Sequence, residues 1–220
     1  MPWKIYKKRH LTSFQVIILG FAGVILFGAL ILMLPISSVQ GIITPFHKAL
    51  FTSTSAVCVT GLAVVDTGSY WSAFGQTVIM FLIQIGGLGV ITTATAVFIL
   101  SGRKISIMQR STMQNAISAP KVGGIVQLMS FILKGTLLIE LIGALFMIPV
   151  FCHDFGLRGI WMSIFHSVSA FCNAGFDLLG TKWHPFVSLT SYAVNPVINI
   201  VIMLLIIIGG IGFFTWEDIY

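Results

Sequence analysis

The segment from Pro45 to Leu62, PFHKALFTSTSAVCVTGL, does most to limit what this chain can become. It is a short amphipathic run that leads into small residues and stops at one glycine, between two long apolar stretches. It recurs as Trp161 to Phe176, WMSIFHSVSAFCNAGF: at a shift of 114 positions Phe51, Ser53, Ser55, Ala56, Cys58 and Gly61 fall on Phe165, Ser167, Ser169, Ala170, Cys172 and Gly175. A helix of about ten residues is roughly 16 Å long, half the thickness of a bilayer and too short to cross it. The loop that follows would leave backbone groups unpaired in hydrocarbon, at several kcal/mol each, so it must be shielded from lipid or line a cavity. A duplicated element of this kind predicts two re-entrant structures.

Composition sets the surroundings. Of the 220 residues 57% are hydrophobic and 8% charged, with a mean hydropathy of +1.02. A soluble domain carries roughly a quarter charged residues, so this is the composition of an integral membrane protein. The net charge of +6 is not a nucleic-acid footprint, because eight of the twelve Lys and Arg form two clusters. Lys4, Lys7, Lys8 and Arg9 precede the first apolar run, and Arg103, Lys104, Arg110 and Lys121 follow the second. The positive-inside rule places both clusters in the cytoplasm, so the short helices dip in from outside. The apolar run after Arg9 is too long for a signal peptide and reads as the first span. Three cysteines without a pairing pattern give neither a disulfide framework nor a zinc site. An intramembrane hydrolase would need a nucleophile with a base; His166 and Ser167 adjoin with no third group, so no enzyme is expected.

The fold expected is all-α and membrane-integral, built from tandem span–pore helix–span units. Residues 1–10 form a cytoplasmic N-terminus. The first repeat, 11–100, holds a span from Leu11 to Leu34, a pore helix over 45–55, a filter loop over 57–62, a further loop at Asp66 to Ser69, and a span from Ala73 to Leu100. Thr44 and Pro45 resemble a helix start, with a hydroxyl at the cap and proline at the first helical position. Residues 101–122 form a cytoplasmic loop. The second repeat, 123–220, holds a span from Gly124 to Phe151, a pore helix over 159–170, a filter loop over 171–176, a polar stretch over 177–195 and a span from Val197 to Thr215. The clusters IGGLGV at 85–90 and IGGIGF at 208–213 repeat at a shift of 123, which makes this a parallel duplication with its axis along the membrane normal.

A cation that enters such a site sheds water and needs oxygen on every side, which backbone carbonyls can supply. Val59, Thr60 and Gly61, with Cys58 before them, and Asn173, Ala174 and Gly175, with Cys172 before them, are assigned that role. Glycine permits the backbone geometry required, and each pore helix aims its partly negative end at the cation. A single glycine of this kind could equally be a helix C-cap; its repetition after two half-length helices favours the pore. Carbonyl coordination leans toward a large, weakly hydrated ion such as K⁺, while K⁺ against Na⁺ stays open. Asp66 and Asp177 follow the loops, either concentrating cations at the mouth or standing as solvated loop carboxylates. Gly86, Gly87, Gly89, Gly209, Gly210 and Gly212 read as close-packing positions between spans, with a hinge as the secondary role. Lys134, set to snorkel, and Glu140 are given structural roles in the third span. His166, which replaces Thr52 of the first copy, reads as a hydrogen-bonded packing residue. Cys58 and Cys172 read as small buried side chains. Serine at Gly61 or Gly175 is expected to disturb ion preference more than serine at Gly20 or Gly28.

LMLPIS at 32–37, ALFTSTSAVCVTGLAVVDTG at 49–68, FGQTVIMFLIQIGGLG at 74–89, FHSVSAFCNAGF at 165–176 and IIGGIGF at 207–213 together resemble the KtrB/TrkH/HKT superfamily of potassium transporters, nearest to its KtrB branch. The resemblance implies four span–pore–span units around one K⁺ pathway. It also implies Na⁺-dependent K⁺ uptake by a homodimer in the inner membrane, seated on a cytoplasmic nucleotide-binding ring. The sequence departs from that pattern in holding two units. It is read as the N-terminal half of a longer transporter, because its loops have diverged (VTG against NAG). The alternatives are a two-repeat cation channel subunit that pairs as a dimer, and a non-conducting half-transporter fragment. The family's gating loop would lie in the third unit, so no gate residue is assigned.

Overall fold

The computed structural model describes residues 12–90, 92–93, 125–212 and 215–216. Helix α1 is Ser13–Met33, opened by a capping box in which Thr12 and Gln15 satisfy each other's backbone donors. It stops at Leu34, whose extended backbone suits the following Pro35. A 3-10 turn over Pro35–Ser37 leads to α2, Phe46–Val57. After the first small-residue loop come α3, Thr67–Tyr70, and α4, Ala73–Leu88. The second half contains α5, Ile125–Phe155, α6, Arg158–Phe171, a 3-10 turn over Ser188–Tyr192, and α7, Pro196–Ile211. Among the described residues the only β pairing is the single bridge between Ser38 and Trp71. The described part of the fold is therefore all-helical.

Among the described residues two helices are long and apolar enough to cross a membrane, with mean hydropathy reaching 2.9 within Gln15–Met33 and 2.1 within Gln127–Phe155. Helices α4 and α7 have 16 residues each, or about 24 Å. Both end at a glycine with left-handed φ, +83° at Gly89 and +95° at Gly212. The expected spans over 73–100 and 197–215 are thus not single helices: each is interrupted at its glycine cluster. Residues 94–100, the expected cytoplasmic N-terminus and the 101–122 loop lie outside the described residues.

The start of α2 also differs from expectation. Pro45 itself is the cap residue, with no side-chain hydrogen bond to the helix. Thr44 is buried, and its Oγ1 accepts from the Tyr70 hydroxyl at 3.3 Å, so the hydroxyl is committed to a neighbouring segment.

The two halves repeat each other in detail. Ser53 Oγ donates to the Ile25 carbonyl at 2.7 Å, and Ser167 Oγ donates to the Glu140 carbonyl at 2.6 Å. These bonds pin α2 to α1 and α6 to α5. Glycine faces the serine in both places: a Cβ on Gly28 would lie 2.6 Å from Ser53 Oγ, and one on Gly143 would lie 2.7 Å from Ser167 Oγ. Leu82 of α4 and Leu205 of α7 close the same contacts, each 2.8 Å from the imagined Cβ.

One apolar core joins the halves, with Leu32, Ile79 and Ile83 from the first and Met147, Phe151 and Phe165 from the second. Between them Trp161 Nε1 donates to Gln76 Oε1 at 2.9 Å, while Gln76 Nε2 donates to the Trp71 carbonyl at 3.0 Å. Arg158 reaches the Gly68 carbonyl at 3.4 Å. These bonds tie the two halves through Gln76, while the buried Trp71 Nε1 finds no partner among the described residues and Arg158 stays exposed.

Candidate functional site

Helices α2 and α6 end in the same way. Val59 N–H donates to the Ala56 carbonyl at 3.3 Å and Thr60 N–H to the Ser55 carbonyl at 2.9 Å. Asn173 N–H donates to Ala170 at 3.0 Å and Ala174 N–H to Ser169 at 2.7 Å. This is the Schellman pattern, with the left-handed residue at Val59 (φ 56°) and Asn173 (φ 58°). The helix-capping role thus belongs to Val59 and Asn173 and not to the glycines. Gly61 and Gly175 lie two residues further on and turn left-handed again, at φ 70° and 72°. Left-handed backbone at a β-branched valine costs on the order of 1–3 kcal/mol and is retained where surrounding structure enforces it.

The two loops touch. A Cβ on Gly61 would lie 2.6 Å from the Ala174 carbonyl oxygen and 3.3 Å from Gly175 Cα. Bulk at Gly61 would drive the loops apart, whereas a Cβ on Gly175 would meet only Gly61 Cα, at an ordinary 3.6 Å. Each loop is also tied to its helix by a serine, but differently. Ser55 Oγ pairs with Thr60 Oγ1 at 2.8 Å, a side-chain contact, whereas Ser169 Oγ donates to the Phe176 carbonyl at 2.6 Å.

The glycine clusters divide by function. Gly86 and Gly209 lie against the last carbonyls of the short helices, those of Val57 and Phe171, closer than any Cβ would allow. Gly87 lies under Cys172, whose Sγ would be 2.5 Å from a Cβ there. Gly210 has only Asn173 Nδ2 within reach, at 3.9 Å. Gly89 and Gly212 supply the helix breaks: among the described residues a Cβ on Gly89 would meet only Thr92 Oγ1, at 3.8 Å, and one on Gly212 nothing within 4 Å.

Other expected residues separate. Cys172 is buried as expected, against Gly87 of α4, but Cys58 is exposed. Asp66 is not a solvated loop carboxylate, at 7% exposed. Its Oδ2 accepts from Ser69 N–H at 2.8 Å and from Ser69 Oγ at 2.6 Å, capping α3. Its Oδ1 accepts from Phe186 N–H at 2.8 Å, which fastens the loop before α4 to the loop before α7. Asp66→Asn should turn an amide toward one of these donors and lower stability by about 1–3 kcal/mol. A fall of several degrees in the thermal midpoint of the purified protein would show it; an unchanged midpoint would remove Asp66 from this role.

Asp177 is half-buried beside the second loop, with Oδ1 accepting from Leu179 N–H at 3.0 Å. Burial pushes its carboxyl above the usual carboxylate range, the Asp66 charge adds to that, and the backbone N–H groups of Leu179 and Gly180 oppose it. A cavity of about 210 Å³ opens here between Asn173, Gly175, Asp177, His166 and α7. Glu140 is buried at 5% exposure and lines a separate, mostly apolar cavity of about 290 Å³ with Gln84, while Lys134 is exposed. The serine–glycine contacts at Ser53–Gly28 and Ser167–Gly143 are the positioning elements that sequence reasoning passed over. Their signal was available, since both serines recur at the same shift.

Comparison with known proteins fits this arrangement. The family model TrkH, described as a cation transport protein, matches residues 5–220. The chain is 45% identical over 219 residues to the potassium/sodium uptake protein NtpJ of Enterococcus hirae, covering 98% of this chain and 47% of that protein. It is 43% identical over 217 residues to the Ktr system potassium uptake protein B of Bacillus subtilis, again 98% of this chain and 47% of the relative. The protein of the same name from Vibrio alginolyticus is 35% identical over 207 residues, 94% of this chain and 44% of the relative. The chain spans about half the length of these relatives. With the family model matched over nearly its whole length, this chain belongs to the TrkH family of cation transport proteins.

Proposed function

We propose that the chain supplies two of four span–pore helix–span units of a potassium uptake protein, with K⁺ as its cargo. In this reading α2 and α6 are the pore helices, and the backbone carbonyls of Cys58 to Gly61 and Cys172 to Gly175 take over the coordination that water gives the ion. The observation that carries it is the matched pair of loops, left-handed at Val59 and Gly61 and again at Asn173 and Gly175, with Gly61 lying against Ala174. A backbone that changes hand at alternate residues turns its carbonyls toward a common line. Two half-length helices ending beside that line add their negative ends to it.

The boundaries of the two repeats, the cytoplasmic N-terminus and the plasma-membrane location belong to the same proposal. They are supported by the clustering of Lys and Arg and by the two long apolar helices. Sodium dependence, a homodimer and a cytoplasmic nucleotide-binding ring follow from the likeness to Ktr proteins. The alternating loops demand no carboxylate at the ion, because backbone carbonyls supply the coordination. The test is flux of K⁺ and Na⁺ into liposomes holding the full four-unit protein. Uptake that prefers K⁺ supports the proposal, and liposomes that pass neither ion would end it.

Asp177 gives this reading a pH dependence. Its charge is present at high pH and is lost as pH falls through a value above the usual carboxylate range. Apparent K⁺ affinity should therefore weaken at a pH where an ordinary aspartate is still ionised. Asp177→Asn should flatten that part of the profile, measured as uptake against K⁺ concentration at a series of pH values. An unaltered profile would place the residue outside the ion's path.

A further inference from the structure

His166 is completely enclosed, at 2% exposed, between Phe151, with ring centroids 5.2 Å apart, and Phe165, at 6.1 Å. Both ring nitrogens are engaged with the backbone. Nδ1 lies 2.7 Å from the Met162 carbonyl, which only accepts, so Nδ1 carries the hydrogen. Nε2 lies 3.4 Å from the Leu178 N–H, which only donates, so Nε2 is the acceptor. One imidazole therefore fastens the chain beyond Gly175 back onto α6. Ser169 does the same one turn nearer the loop, by donating to the Phe176 carbonyl at 2.6 Å. The second loop is thus held by its own helix on the side where it leaves.

Among the described residues the first loop has no such strap. The position equivalent to His166 is Thr52, whose buried Oγ1 finds no hydrogen-bond partner. Ser55, equivalent to Ser169, spends its hydroxyl on the Thr60 side chain and leaves the backbone beyond Gly61 untouched. The loops match in backbone shape, yet one is restrained on its exit side and the other is not.

We propose that His166 is a positioning residue that sets ion preference: it holds the carbonyls of Asn173 to Gly175 at a fixed spacing, so that a smaller ion cannot draw them inward. This rests on the filter reading above. Losing His166 should therefore cost discrimination before it costs capacity, because the loop can still form but is free to contract.

The test compares three variants of the full-length transporter in proteoliposomes. His166→Phe keeps the aromatic packing and removes both hydrogen bonds. His166→Asn places an amide near Nδ1 only, whereas His166→Gln places an amide oxygen near Nε2, where Leu178 N–H can still donate. The Phe and Asn variants should lose about three- to tenfold in the ratio of K⁺ to Na⁺ apparent affinity, with maximal rate within about twofold of the parent, and Gln should restore most of that ratio. Parental discrimination in the Phe variant, parallel loss of K⁺ and Na⁺ uptake, or equal behaviour of the Asn and Gln variants would each overturn the inference. Gly175→Ser is run beside them. If it too leaves ion preference unchanged, the filter reading itself has failed; if it alters preference while His166→Phe does not, only the role of His166 has.

Discussion

Serine in place of Gly61 is expected to reduce the preference for K⁺ over Na⁺ by about tenfold or more, equivalent to roughly 1.4 kcal/mol of discrimination. Two effects combine. The backbone there is left-handed, at φ 70°, which a residue with a Cβ resists. The added carbon would also lie 2.6 Å from the Ala174 carbonyl oxygen, one of the proposed ligands of the other loop. Substitution in one loop thus displaces both. Gly175→Ser should act through its own φ of 72° with less intrusion, because its nearest neighbour, Gly61 Cα, is 3.6 Å away. The control must be chosen from the structure. Gly28, a neutral comparison by sequence alone, is itself a packing position, since a Cβ there would lie 2.6 Å from Ser53 Oγ. Gly23 has nothing within 4 Å of an added carbon, so Gly23→Ser should leave ion preference within about twofold of the parent. Competition between K⁺ and Na⁺ for uptake into proteoliposomes gives the comparison. Equal effects at Gly61 and Gly23 would remove the loops from the ion's path.

Alanine at Gly209 should destabilise the protein by about 3 kcal/mol, with loss of folded material on extraction. The obstacle is backbone, since a carbon there would enter the space of the Phe171 carbonyl, and neither helix can yield without moving the end of α6. Gly86→Ala should do the same against the Val57 carbonyl. Gly210→Ala, one residue away, meets only Asn173 Nδ2 at 3.9 Å and should be tolerated. Thermal unfolding of the purified variants separates the three. A midpoint for Gly209→Ala equal to that for Gly210→Ala would show that close approach at this crossing carries no weight.

Much of this architecture was legible in the sequence because it is written twice. Ser53 and Ser167, Cys58 and Cys172, and Gly61 and Gly175 recur in order, and such recurrence marks positions where backbone geometry leaves little choice. What stayed hidden depended on distant or disfavoured partners. No rule of composition would place Val59 in a left-handed capping position, since β-branched residues avoid it. Thr44 looked like a cap, yet its hydroxyl answers Tyr70, 26 residues further along. Gly86 and Gly89 look alike in IGGLGV, but the first is a point of contact and the second ends the helix. Cys58 and Cys172 match in sequence and differ in burial, the second lying against Gly87 of the other half. Periodicity reveals which residues repeat, and neighbours decide what each copy does.

The tie between Asp66 and Phe186 carries a consequence for biosynthesis. Its two residues are 120 positions apart. At a translation rate of roughly 5–20 residues per second, the carboxylate must wait about 6–24 s for its donor to be made. Through that interval the turn is held by its own half alone, through the two bonds from Ser69 to Asp66 and the pairing of Ser38 with Trp71, and the link between the halves waits for the second to be made.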